Sequence, residues 1–278
     1  MPAALLYTMH DPKYNYLYKT EPEPFMNNRK MFCPRGKMLG GSSSHNGMVH
    51  VRGNPMDFEN WAQKDLKSWN YNNVLPYFKK SESIEGLDET YRNKSGPLKL
   101  SRSSEGNELS KVYLEAAEQA GYEINNDMNG YKQEGFGLMD TTIYGGRRQS
   151  TSVTYLHPVI NRRNLTVITN TIVNKVIIEN NKAVGVECIK GSEIKKIYAE
   201  NEVILSAGAI NSHQLLMLSG IGNAEQQKKL DISVQHDLRG VGENLQDHLE
   251  TYLQYECTKP VTLYTSYNPI RMAFIGIE

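Results

Sequence analysis

The sequence predicts an α/β chain, and three stretches carry that prediction. From Leu109 to Ala120 apolar residues recur at helical spacing (Leu109, Val112, Tyr113, Ala116, Ala117, Ala120), and Gly121 then supplies a left-handed stop. From Leu165 the period changes to two, in short runs rich in Val, Ile and Thr. Finally, Glu202-Val-Ile-Leu-Ser206 leads through Ala207, Gly208 and Ala209 into another helical run. A β-meander feeding a strand, a turn of small residues and a helix is the order in which backbone can approach a nucleotide.

In chain order, residues 1–35 are polar, aromatic and turn-rich, and Pro12, Pro22, Pro24 and Pro34 exclude long helices there. A glycine- and serine-rich run follows, Gly36-Lys-Met-Leu-Gly-Gly-Ser-Ser-Ser-His-Asn46. Asp57 to Ala62 reads as a short helix, and Tyr71 to Lys80 as an amphipathic segment interrupted by Pro76. The 109–120 helix is expected to pack its alanine face on a sheet. Strands are predicted over Leu165–Thr169, Val173–Glu179, Ala183–Lys190 and Glu193–Ala199, with Asn180-Asn181 as a hairpin turn. Glu202–Ser206 reads as one more strand. The last helix is placed at Gln214–Leu218, with Asn211 or Ser212 as its cap and Gly220 as its stop. There is no internal repeat and no low-complexity tract.

Composition narrows the function. Lys plus Arg (31) balance Asp plus Glu (31) over 278 residues, so no net field draws nucleic acid or an anionic membrane. No apolar stretch approaches the length of a bilayer span, and Met1-Pro-Ala-Ala-Leu-Leu-Tyr7 lacks the basic lead of a signal peptide. Cys33, Cys188 and Cys257 lie far apart without C-x-x-C spacing, so they read as free or buried thiols rather than a metal or redox pair. The sequons at Asn93 and Asn164 assign no compartment. Localisation and oligomeric state stay open.

Gly36 to Gly53 is where chemistry concentrates. Adjacent glycines leave the backbone unhindered by Cβ atoms, and serine hydroxyls cluster with N–H groups on one loop. A flat electron-accepting ring needs such a neighbour, with donors at its edge and an open approach to its face. By itself the run is equally a surface turn or an anion nest.

Its flanks decide. Pro34-Arg-Gly-Lys-Met-Leu-Gly-Gly-Ser-Ser-Ser-His-Asn-Gly-Met-Val-His-Val-Arg-Gly-Asn54 resembles the first signature of the glucose–methanol–choline (GMC) oxidoreductases. Asp57-Phe-Glu-Asn-Trp61 and Trp69-Asn-Tyr-Asn-Asn-Val-Leu-Pro-Tyr-Phe78 continue the likeness. Gly208-Ala-Ile-Asn-Ser-His-Gln-Leu-Leu-Met-Leu-Ser-Gly-Ile-Gly222 is similar to the second signature, and Gly240-Val-Gly-Glu-Asn-Leu-Gln-Asp-His248 to the motif that follows it. Gly146-Arg-Arg-Gln-Ser150 and Leu156-His-Pro158 fall between them in order, and Tyr18-Lys-Thr-Glu-Pro22 resembles the arthropod glucose-dehydrogenase-like branch.

The resemblance implies FAD as cofactor and a small alcohol or sugar as substrate. Hydride would pass from the carbinol carbon to the flavin, which oxygen or a quinone-type acceptor would reoxidise. It implies an incomplete, Rossmann-like FAD-binding domain over residues 1–250, with an added β-meander and a helical insertion near 60–135. Residues 251–278 would begin a substrate-domain sheet. Leu39, Gly40, Gly41, Ser42 and Ser43 would run along the flavin and its ribityl-diphosphate arm. Asn46, Gly47, Met48 and Val49 would sit at the ring edge. Val173 would touch the adenine, Ala207 and Gly208 would border the adenosine half, and Asn244 and His248 would hold loop geometry.

Three positions depart from the pattern. His45 stands where an aliphatic residue is usual, and some choline-oxidising relatives join such a histidine to the flavin's 8α-methyl carbon. His50 replaces an aromatic residue or alanine and reads as packing, and His213 replaces proline at the first position of a helix capped by Ser212. Two elements are also missing. No glycine run fits G-x-G-x-x-G after a strand. None of His10, His45, His50, His157, His213, His236 or His248 lies in the motif that supplies the catalytic base, so no catalytic residue is assigned. The chain therefore reads as an internal piece of a flavoenzyme, expected to be poorly soluble and colourless when produced alone. The competing reading is a product that binds no flavin and acts at most as a binding module.

Overall fold

The computed structural model describes residues 5–103, 108–248, 250–259 and 261–262. They fall into two units, one of residues up to Leu165 with those from Tyr255 onward, the other Thr166–Gln254. The structure is mixed α/β.

The first unit opens with a short helix α1 (Leu5–Thr8) and an antiparallel pair, β1 (Tyr18–Lys19) with β2 (Phe32–Cys33). A 3-10 turn over Gly41–Ser44 then carries the glycine-serine loop into β3 (Val49–His50). Helix α2 (Pro55–Gln63) starts earlier than the sequence suggests. Asn54 accepts from Met56 N–H while the Asp57 carboxylate accepts from Asn54 N–H, a reciprocal cap with Pro55 at the first position.

Helix α3 (Tyr71–Ser81) corrects the expectation of a break, because Pro76 lies inside it. One proline removes a single ladder bond, and Asn70 caps the helix by accepting from Asn73 N–H at 2.9 Å. Phe58 anchors the packing here, in ring contact with Trp61, Tyr71 and Phe78.

β4 (Glu82–Ser83) pairs with β5 (Leu98–Lys99) in parallel. β6 (Ser101–Arg102), β7 (Asp140–Thr141) and β3 form a three-stranded sheet in the order β3-β7-β6. Helix α4 (Glu108–Gln119) falls where its periodicity places it, and Gly121 stops it at φ +84°. Tyr113 and Tyr122 meet Phe136, a residue of the loop between α4 and β7. β8 (Ile143–Tyr144) and β9 (Arg147–Arg148) close a tight hairpin over Gly145 and Gly146, both at positive φ.

The second unit is built on an antiparallel meander, β10 (Ile172–Glu179), β11 (Lys182–Lys190) and β12 (Glu193–Tyr198). Asn180 and Asn181 turn the first hairpin at φ +50° and +61°, the left-handed pair a two-residue turn requires. Helix α5 (Gly208–Leu218) begins six residues before the expected start. Asn211 and Ser212 are therefore not its caps. The Ser212 hydroxyl instead reaches back to accept from Ala207 N–H at 3.0 Å, and His213 is an interior residue. Gly220 does end the helix, at φ +85°. Helix α6 (Ala224–Lys229) follows, and β13 (Ile221–Gly222) pairs in parallel with β14 (His236–Asp237). Ser219 staples helix to meander, its buried hydroxyl accepting from Val176 N–H at 2.8 Å and donating to Leu215 O at 2.6 Å.

Two predicted strands do not form. Leu165–Thr169 and Glu202–Ser206 lie outside any strand, because no described segment offers them a ladder partner. β-propensity supplies an extended backbone; a strand also needs a neighbour. No strand occurs among the described residues after Asp237. The expected substrate-domain sheet at 251–278 otherwise lies largely outside the described residues.

Candidate functional site

The loop from Gly36 to Val49 is a folded object rather than an open coil. Gly40 (φ +86°) and Gly41 (φ +53°) turn it into the 3-10 segment. A side chain at Gly40 would press on Ser44 Oγ at 2.5 Å, whereas one at Gly41 or Gly47 would meet nothing within 4 Å among the described residues. Gly40 is thus required by packing, and Gly41 and Gly47 leave the loop surface clear. The Ser43 hydroxyl donates to Gly40 O at 2.5 Å and the Ser44 hydroxyl to Leu39 O at 2.8 Å. Asn46 Oδ1 accepts from Met48 N–H at 3.2 Å, an Asx turn that accompanies Met48 into left-handed backbone at φ +63°.

Ser42, Asn46, Gly47 and Val49 face outward, while His45 and Met48 are buried. His45 is only 3% exposed, and its Nδ1 has no hydrogen-bond partner among the described residues. Burial, then the charges of Arg148 and Arg35, push its pKa below the usual histidine value. This shift favours the neutral ring, the form in which imidazole is nucleophilic.

A second hairpin, about a hundred residues on in sequence, grips this loop. Arg148 Nη1 donates to Asn46 O and Asn46 Oδ1, both at 2.8 Å, and to Ser43 O at 3.2 Å. Thr151 N–H donates to Ser43 Oγ at 3.0 Å, and its hydroxyl donates to Gly40 O at 3.2 Å. Thr142 N–H donates to Met48 O at 2.8 Å. The sequence marks Gly146-Arg-Arg-Gln-Ser150 only as an ordered motif and assigns Arg148 and Thr151 no role.

Behind the loop exit lies a buried ion cluster. Glu82, fully buried, accepts from Arg92 Nε at 2.8 Å and lies 2.7 Å from Arg52 Nη2, the latter an ion pair rather than an aligned hydrogen bond. Arg92 also donates to Asp140 Oδ2 at 2.8 Å and Asp127 Oδ1 at 2.5 Å. His50 Nε2 stands 3.5 Å from Glu82 Oε2, so the histidine read as simple packing belongs to this cluster. Burial alone would push the Glu82 carboxyl up. The His50 and Arg92 contacts and the Arg52 and Arg92 charges outweigh it and hold the carboxyl at about 2. Asn129 stitches the cluster to β3, donating to His50 O at 3.0 Å and to Asp140 Oδ2 at 3.1 Å.

The remaining expected contacts belong to the second unit. Val173 sits in β10 opposite Cys188, half-exposed, and Ala207 and Gly208 (φ +91°) are exposed at the start of α5. Asn244 takes left-handed φ +55°, and His248 is exposed. All three cysteines are free. Among the described residues there is no cluster of metal-ligating side chains and no helix long and apolar enough to cross a membrane.

The family model for GMC oxidoreductase matches residues 7–250. Mitochondrial choline dehydrogenase of Mus musculus is 50% identical over 278 residues, which are all of this chain and 47% of that protein. Oxygen-dependent choline dehydrogenase of Brucella ovis is 47% identical over all of this chain and 50% of its own length. The chain thus spans about half the length of the curated relatives it matches. Among solved structures, pyridoxine 4-oxidase from Mesorbium loti superposes with a TM-score of 0.80 at 28% identity, over 85% of this chain and 47% of that one. An FAD-dependent oxidoreductase from Chaetomium thermophilum does so with a TM-score of 0.80 at 28% identity, over 86% and 44%. These relatives give no support to the glucose-dehydrogenase-like branch suggested by Tyr18–Pro22.

Proposed function

The chain belongs to the GMC oxidoreductase family, and we propose that it carries the flavin loop of an FAD-dependent oxidoreductase acting on the CH–OH group of a small alcohol. Choline is the substrate we favour over a sugar, because relatives identical at about half of all positions bear that name. One observation carries the cofactor reading. The loop is clear of side chains at Gly41 and Gly47, and beside them the buried His45 imidazole has a nitrogen without a partner among the described residues.

FAD, when bound, supplies the acceptor for hydride from the alcohol carbon. The chain's own part is to bind and orient. Leu39, Gly40, Gly41, Ser42 and Ser43 would hold the ribityl-diphosphate arm, and Asn46, Gly47, Met48 and Val49 the ring edge. Val173, Ala207 and Gly208 would meet the adenosine half. His45 stays the candidate for covalent attachment. Flavin that remains with the denatured polypeptide after acid precipitation supports it, and flavin released completely ends it.

The test of the function is choline-dependent reduction of an artificial acceptor by the natural-length protein, with a sugar panel beside it. Turnover of choline and not of sugars is expected; turnover of sugars alone would overturn the substrate assignment. A second reading, with no flavin held by these 278 residues alone, is favoured by Leu165–Thr169 and Glu202–Ser206 lying without ladder partners among the described residues. A soluble yellow product from this length alone would remove it.

A further inference from the structure

We propose that Arg148 is the positioning residue that sets the Asn46–Met48 turn in its FAD-accepting form, an inference that rests on the flavin-loop reading above. Met48 is the residue of the turn that needs holding. Left-handed backbone is unfavourable for a non-glycine residue, so φ +63° must be held by its surroundings. The holding bond is the Asx turn from Met48 N–H to Asn46 Oδ1, and that oxygen is shared, since Arg148 Nη1 donates to it at 2.8 Å. The same nitrogen donates to Asn46 O at 2.8 Å and Ser43 O at 3.2 Å, so one guanidinium corner spans both ends of the segment containing His45.

A cation donating to three neutral oxygens fixes their relative positions more firmly than neutral bonds do. Arg148 has little freedom to leave, because it sits in β9, whose hairpin is tied back by Gln149 N–H to Thr142 O at 2.9 Å, while Thr142 N–H holds Met48 O. The hairpin therefore supplies a rigid frame, and Asn46 Oδ1 transmits it to the backbone that would face the ring edge. Lysine could restore the charge, but its ammonium rides on a flexible stem that does not keep the donor aimed as the rigid guanidinium does. Arg148 touches the loop and acts on the cofactor through it.

The experiment has two arms on the natural-length protein, comparing wild type with Arg148→Ala, Arg148→Lys and Asn46→Ala. In the apoprotein, hydrogen exchange across residues 40–49 is measured; Arg148→Ala is expected to speed exchange there, with Met48 most affected and the rest of the fold unchanged. In the second arm, FAD affinity is read by quenching of flavin fluorescence. Arg148→Ala is expected to weaken it by about tenfold or more, the loss of one to two charge-assisted hydrogen bonds. Arg148→Lys should recover only part, and millimolar guanidinium should restore affinity to the alanine variant. Adding Arg148→Ala to Asn46→Ala should cost less than the separate losses combined, because the two act through one contact. Unchanged exchange in the loop overturns the proposal, as does unchanged affinity in a wild type that binds FAD. A wild type that binds no FAD removes the flavin reading instead, and the exchange arm still decides what Arg148 does.

Discussion

Replacing Glu82 by glutamine should cost the fold on the order of 3 kcal/mol, and the size follows from the partners it leaves behind. Glu82 accepts from Arg92 Nε at 2.8 Å and Nη2 at 3.3 Å, pairs with Arg52 Nη2 at 2.7 Å and lies 3.5 Å from His50. Glutamine keeps the shape but sets an NH2 against an arginine N–H and removes the charge facing two buried guanidiniums. Breaking one side of a buried ion pair typically costs about 3–5 kcal/mol. The low end applies here because Arg92 keeps Asp127 and Asp140, and Arg52 keeps its bond from Nη1 to Tyr91 O at 2.7 Å. The same residue sets an acid limit. Its folded pKa, about 2, lies below the ordinary value of 4.5, so the unfolded chain binds the proton more readily. Its stabilisation is full above pH 4.5 and is lost as the pH falls from there towards 2. Urea unfolding of wild type and Glu82→Gln from pH 7 down to pH 3 reads both effects. The two curves should lie apart at neutral pH and converge in acid. A neutral-pH difference below about 1 kcal/mol, or a constant gap down to pH 3, would refute the reasoning.

Three further substitutions test the loop and the second unit. Gly40→Ala and Gly41→Ala both force alanine into left-handed backbone, at about 1–2 kcal/mol each. Only Gly40→Ala also meets Ser44 Oγ at 2.5 Å. Thermal unfolding should therefore rank Gly40→Ala as the less stable, while Gly41→Ala, projecting into open space, should weaken FAD binding by more than it lowers stability. Equal losses of FAD affinity and stability in Gly41→Ala would count against a cofactor at that surface. Ser219→Ala orphans the Val176 N–H in the interior and should cost about 1–3 kcal/mol in chemical denaturation; a neutral result would mean the staple between α5 and β10 contributes nothing.

What the sequence revealed was what local chemistry encodes. Helix α4 could be read because its apolar residues keep one period and Gly121 ends it; the β10–β11 hairpin because Asn180-Asn181 tolerates positive φ. The start of α5 was hidden because it has no side-chain cap, and Ser212 resembles a cap while bonding back to Ala207 from inside the first turns. Pro76 signals a break, but the Asn70 cap and the packing around Phe78 carry the helix through it. Leu165–Thr169 and Glu202–Ser206 have strand composition, and composition does not provide a partner. The glycine-serine loop was legible as a motif, whereas its support was not. Arg148 and Thr151 reach it from about a hundred residues away, and the cluster of His50, Arg52, Glu82, Arg92, Asp127 and Asp140 is assembled from loops and short strands with no shared spacing.

The most direct test of the central claim is a hydrogen-exchange map of the natural-length apoprotein before and after adding FAD. Binding should slow exchange over residues 39–49, leaving the β11–β12 hairpin unaffected. FAD that binds while the 39–49 amides exchange as before would contradict it.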